Sequence, residues 1–144
     1  MTSPVVFLAY ASSATRRFAQ EELLGLLAVS RTNNERSNLT GMLLYRGGNF
    51  LQALEGPEHE IRDTMKRIDR DLRHGSIVHL YEERQNERVF GNWTMGFKDV
   101  ATLNPAEHPG LNYYLSRAGH DHVVSANSDH DVFEFFRAFR THMT

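Results

Sequence analysis

Several polar or polarisable side chains stand where this sequence otherwise builds apolar structure. Tyr10 ends the run Val5-Val6-Phe7-Leu8-Ala9, Asn33 and Asn34 close an apolar helical stretch, Gln52 interrupts Phe50-Leu51 and Ala53-Leu54, and Trp93 and Met95 are two residues apart. An amide or phenol buried without a partner costs about 1–3 kcal/mol, so such residues inside apolar segments suggest a ligand that supplies the missing hydrogen bonds. Asn and Gln each carry a donor and an acceptor in one group, and a tyrosine phenol can give up both a proton and an electron.

The elements that must position these residues follow from periodicity and turn chemistry. Residues 5–10 form an apolar, β-forming run suited to a strand buried on both faces. Residues 20–33 read as a helix: Leu23, Leu26, Leu27 and Ser30 recur at helical spacing, Glu21 and Glu22 suit its N-terminal end, and Asn33-Asn34 suits its stop. Residues 39–46 and 49–55 flank the pair Gly47-Gly48, a hairpin signal, and Gly56-Pro57 ends the second strand. Ile61, Met65, Ile68 and Leu72 then mark an amphipathic helix ending near Arg73. Residues 77–82 and 93–97 are predicted strands, joined through a polar loop at 84–88. The order β-α-β-β-α-β-β predicts an α+β, ferredoxin-like domain whose mixed sheet carries both helices on one face. After residue 104 the composition turns to Pro, Gly, His and Asn until residues 131–141 resume helical spacing, with Val132, Phe135, Phe136 and Phe139 as an apolar stripe. That stripe is predicted to cap the bare face of the sheet. Residues 1–100 are then the core domain and 101–144 a helical extension of the same unit.

Composition narrows the function classes. With 144 residues, 40% hydrophobic and 24% charged, one soluble domain is expected. Lys and Arg total 16 against 18 Asp and Glu, with no long basic run, which argues against nucleic acid and anionic membranes as partners. The absence of cysteine excludes disulfides, thiolate catalysis and Cys-ligated metals. The apolar start is too short for a signal peptide or a membrane span, so a cytoplasmic protein is expected. His120-Asp121-His122 with His130 fits no strong metal-ligand spacing and reads as a solvated loop, so no metal is expected.

Side chains alternate along a strand, so Tyr10 shares a face with Leu8 and Val6, and Gln52 with Phe50 and Leu54. Leu26 on the first helix and Ile68 on the second bound an aliphatic slot above that face, one fit for a flat aromatic ligand. A flavin edge, with alternating carbonyls, an N–H and a lone-pair nitrogen, matches the donors and acceptors of the amides. Each residue alone has a plainer reading: Tyr10 as a core tyrosine, the asparagines as a helix terminus, Gln52 as an edge-strand residue, Trp93 and Met95 as core filler.

The conjunction is more specific than its parts. "FLAYASSA" at residues 7–14, "SRTNNERSNLTGMLLYRGGNFLQALEGP" at 30–57, "RIDRDLRH" at 67–74 and "VFGNWTMGF" at 89–97 resemble, in order and spacing, the BLUF domain of blue-light sensors using flavin. The resemblance covers about the first 100 residues. It implies that Tyr10 is the redox-active tyrosine and Gln52 the glutamine between it and the flavin N5/O4 edge. It further implies that Asn34 bonds the C4 carbonyl and N3 region, with Asn33 on the neighbouring ring edge, and that Leu26 and Ile68 sandwich the ring. Asp71, Arg73 and His74 would lie near the ribityl chain and phosphate, and Trp93 and Met95 would fill strand-five positions that respond to the photocycle. The flavin is expected to be FAD, with FMN and riboflavin as the other forms.

The segment after Phe97 does not resemble an output enzyme. The expectation is therefore a non-enzymatic photoreceptor, homo-oligomeric, that signals through a downstream protein partner. A flavin-dependent oxidoreductase on the same scaffold is the alternative, weakened by the lack of cysteine, of a nicotinamide motif and of an acid–base pair. A nucleic-acid module of similar topology would need aromatics amid Lys and Arg on its central strands, where only Phe7 and Phe50 are candidates.

Overall fold

A computed structural model describes residues 5–14, 18–71, 74–101, 103, 104, 107, 114, 115 and 126–142, with backbone alone at 74, 76, 126–131, 141 and 142. In chain order the elements are β1 (Val5–Ala14), α1 (Gln20–Arg36), β2 (Thr40–Arg46), β3 (Asn49–Gly56), α2 (Glu58–Arg70), β4 (His74–Gln85), β5 (Gly96–Asp99) and α3 (Ala126–His142). The strands form one sheet in the order β4-β1-β3-β2-β5, antiparallel except where β5 joins β2. This is the expected α+β, ferredoxin-like arrangement with an added fifth strand.

Strand alternation divides the interior into two cores. Val6, Leu8, Tyr10, Leu43, Phe50 and Leu54 face α1 and α2, where Leu23, Leu27, Ile61 and Met65 close over them. Phe7, Ala9, Ala11, Met42, Leu44, Leu51 and Ala53 face the other way, under Val132, Phe135, Phe136 and Phe139 of α3. The predicted cap on the bare face is therefore present. Gly47 and Gly48 both have positive φ, 56° and 94°, as a tight hairpin between β2 and β3 requires.

Several boundaries differ from expectation. α1 does not stop at Asn33-Asn34. It runs to Arg36 and ends where Asn38 takes a left-handed φ of 57°, with Leu39 N–H donating to the Asn34 carbonyl at 2.8 Å. This 6→1 closure leaves both earlier asparagines inside the last turn, free to aim their side chains inward. α2 ends at Arg70, short of Arg73, because Asp71 is already extended. β1 and β4 are longer than their apolar runs, since backbone pairing carries them through polar residues such as Ser12, Ser13 and Glu82. Strand five begins at Gly96, so Trp93 and Met95 precede it: Trp93 N–H closes a turn onto the Phe90 carbonyl at 3.1 Å, and sheet pairing starts only at Gly96 opposite Met42.

Candidate functional site

On the α1/α2 side of the sheet a cavity of about 230 Å3 opens between the two helices. Each helix presents one stripe to it: Leu26, Val29, Ser30 and Asn33 from α1, and Thr64, Arg67 and Ile68 from α2, with Asp71 contributed by the extended residue just past the end of α2. The floor is Tyr10 and Ser12 of β1, Leu43 of β2, and Phe50, Gln52 and Leu54 of β3, with Asn34 and Phe18 at its margins.

The floor holds a connected polar chain. Tyr10 and Gln52 are direct cross-strand partners in the β1–β3 register, and the Tyr10 hydroxyl donates to Gln52 Oε1. The other end of the same amide, Gln52 Nε2, lies 3.6 Å from the Met95 sulfur, and Met95 is buried. Burial pushes the Tyr10 phenol far above its ordinary range, and the carboxylates of Asp69 and Asp71 push it further, so the hydroxyl keeps its proton. Asn34, only 3% exposed, donates from Nδ2 to the Thr94 carbonyl at 2.6 Å, and Arg31 Nε donates to the Met95 carbonyl at 3.0 Å. The end of α1 thus grips the chain just before β5. Protein groups supply partners to Tyr10, Gln52 and Asn34, so burial of these polar atoms does not by itself require a ligand, as the sequence argument had it.

Of the residues singled out in the sequence, Tyr10, Leu26, Asn33, Asn34, Gln52, Ile68 and Asp71 meet around this cavity. Trp93 and Met95 part company. Met95 belongs to the cavity-side core beside Gln52, whereas Trp93 packs against the α3-side core, with the Arg140 guanidinium 4.7 Å from its ring centroid. Arg73, the side chain of His74, the segment His120-Asp121-His122 and the side chain of His130 lie outside the described residues. Sequence reasoning passed over Thr64, Arg67, Ser12 and Phe18. Thr64 lies one turn before Ile68 and Arg67 one turn before Asp71, so stepping back by four from those two residues could have found both; Arg67 Nη2 donates to Thr64 Oγ1 at 3.1 Å.

The family model for sensors of blue-light using FAD matches residues 5–96. The chain belongs to the BLUF family. Over 88 residues it is 34% identical to photoactivated adenylate cyclase subunit alpha of Euglena gracilis, covering 61% of this chain and 9% of that one. Over 75 residues it is 35% identical to the blue light- and temperature-regulated antirepressor BluF of Escherichia coli (strain K12), covering 52% of this chain and 19% of the relative. The match therefore spans less than a fifth of the length of either curated relative. The dark-state structure of the BLUF protein BlrB superposes with a TM-score of 0.75 at 25% identity, over 94% of this chain and 96% of that one.

The described cavity fits the flavin of a BLUF domain. Aliphatic side chains on two facing helices offer walls for a flat ring, and amides at Asn33, Asn34 and Gln52 are among the polar groups that line it. Among the described residues no cluster of His, Asp or Glu could hold a metal ion, and no helix is long and apolar enough to cross a membrane.

Proposed function

We propose that this protein is a blue-light photoreceptor that holds FAD non-covalently between α1 and α2 and signals to a protein partner through a changed surface. The observation that carries the reading is the chain from the Tyr10 hydroxyl through the Gln52 amide to the Met95 sulfur on the cavity floor. Bound flavin supplies absorption of blue light and an excited ring able to take up an electron and a proton. Tyr10 is the donor of both: its phenol is kept neutral by burial, and its O–H already points along the chain to Gln52. Gln52 is the switch. Turning its amide exchanges a donor for an acceptor at the cavity edge, and the contact given up on the far side is with a thioether, a weak acceptor that resists little. Leu26 and Ile68 would sandwich the ring and Asn33 and Asn34 hold its carbonyl edge. Asp71, with Arg73 and His74, would lie toward the ribityl and phosphate end, where Arg67 adds a cation.

The test is an absorption spectrum of the purified protein before and after blue light. A yellow protein whose visible band shifts slightly to the red and returns in the dark supports the reading. Lasting bleaching that needs a nicotinamide donor would replace it with the oxidoreductase alternative.

A further inference from the structure

Glu55 of β3 is a buried ionisable group that the photochemistry above leaves unused. Its side chain is fully buried on the face opposite the cavity, three residues from Gln52 on the same strand. Four donors converge on it: Oε1 accepts from Phe90 N–H at 2.8 Å and Thr40 Oγ1 at 2.9 Å, and Oε2 accepts from Val89 N–H at 2.7 Å and Gln85 Nε2 at 3.2 Å. Arg88 closes the arrangement, donating to Thr40 Oγ1 at 2.9 Å and to the Asn38 carbonyl at 2.9 Å. Hydrogen bonds continue from there toward the cavity. The Phe90 carbonyl accepts Trp93 N–H, Gly91 turns the chain with a φ of 61°, and the Trp93 carbonyl accepts Gly41 N–H at 3.0 Å, one residue before Thr94 and two before Met95.

We propose that Glu55 is a positioning residue of the light switch: its carboxylate anchors the 89–93 turn and so fixes where the Met95 sulfur stands against the Gln52 amide. The inference rests on the photoreceptor reading. A carboxylate suits the task because both its oxygens accept. In Glu55→Gln one of them becomes an NH2 that faces two donors. The Thr40 hydroxyl and the Gln85 amide can reorient, but a backbone N–H cannot, so either Val89 or Phe90 loses its partner whichever way the new amide turns.

The experiment compares wild type, Glu55→Gln, Met95→Ala and the double variant, all loaded with FAD. In Glu55→Gln, hydrogen exchange at Val89 or Phe90 should accelerate, and the dark return of the red-shifted band should differ from wild type by at least about threefold, the scale of coupling between contacting groups. In the Met95→Ala background the same substitution should leave the return rate unchanged, because the contact it positions is gone. A merely structural role would not depend on Met95. An unaltered return rate in Glu55→Gln, or an equal change with and without Met95, overturns the proposal. Should Glu55→Gln fail to fold, Thr40→Val, which removes one donor to Oε1, must change the return rate in the same Met95-dependent way, and no change overturns the proposal. A wild-type protein that binds FAD and shows no reversible shift overturns the photoreceptor reading itself, and the wild-type trace separates that outcome from failure of the clamp alone.

Discussion

Tyr10 is a core side chain that the proposed mechanism also makes the reagent. Its ring fills the cavity-side core at 4% exposure while its hydroxyl is committed to Gln52. Tyr10→Phe keeps the ring and the cavity walls, so FAD binding should persist, but the red-shifted band should vanish because phenylalanine has no proton to give. The variant should also lose about 1–3 kcal/mol in denaturant unfolding, the cost of leaving the Gln52 oxygen without its donor. A normal photocycle in Tyr10→Phe would remove Tyr10 as the donor. Alkaline titration tests the same environment. The folded state holds the Tyr10 proton above the ordinary pKa of 10.0, so this group's contribution to stability is intact below that pH and is lost as pH rises from there through the raised folded-state value. One tyrosinate equivalent should therefore appear in the ultraviolet only together with loss of the fold, and Tyr10→Phe should abolish that equivalent. Complete titration of every tyrosine in protein that stays folded would contradict the burial argument.

At the scale of elements, the pattern of strands and helices was legible because each carries a strong local signal: the Gly47-Gly48 turn, the Ile61-Met65-Ile68 stripe, and the alternation that puts Tyr10 and Gln52 on one face. What was not legible depends on pairing between distant segments. The end of α1 is set by the left-handed Asn38 and not by the more conspicuous Asn33-Asn34. The lead into β5 looks like a strand in composition, yet its carbonyls are held by Arg31, Asn34 and Gly41, contacts 52 to 64 residues apart that no local window contains. Gly41 shows why one of these junctions tolerates only glycine. A Cβ there would run into the Ala53 carbonyl of the neighbouring strand and press on the Leu54 side chain. Gly41→Ala should lower stability by about 1–3 kcal/mol, the usual cost of overpacking, and should loosen the β2–β5 pairing that its N–H to Trp93 supports. Thermal unfolding together with amide exchange at Gly96–Asp99 checks both, and wild-type values for either would mean that the strands shift aside without penalty.

At the scale of the whole molecule, the sheet separates two cores, and the segment before β5 sends side chains into both. Met95 enters the cavity-side core, while Phe90 and Trp93 enter the α3-side core; Phe90 stacks on Phe7 at 6.2 Å between centroids and meets Phe136 edge-on at 6.0 Å. On the proposed mechanism a rearranged Gln52 amide would change what Met95 faces, and the same short stretch of backbone carries Trp93 beneath Arg140 of α3. The cation–π contact contributes about 0.5–2 kcal/mol, enough to bias how α3 sits without holding it rigidly. Light should therefore alter hydrogen exchange across residues 132–139, whose stripe of Val132, Phe135, Phe136 and Phe139 rests on this core. Trp93→Ala and Arg140→Gln should each shrink the difference between dark and lit protein while leaving most of the flavin red shift in place, because neither residue lines the cavity. Identical exchange in the two states throughout α3 would exclude this helix as the output surface and direct the search to β4, an edge strand of the sheet, and to α1, which lines the cavity.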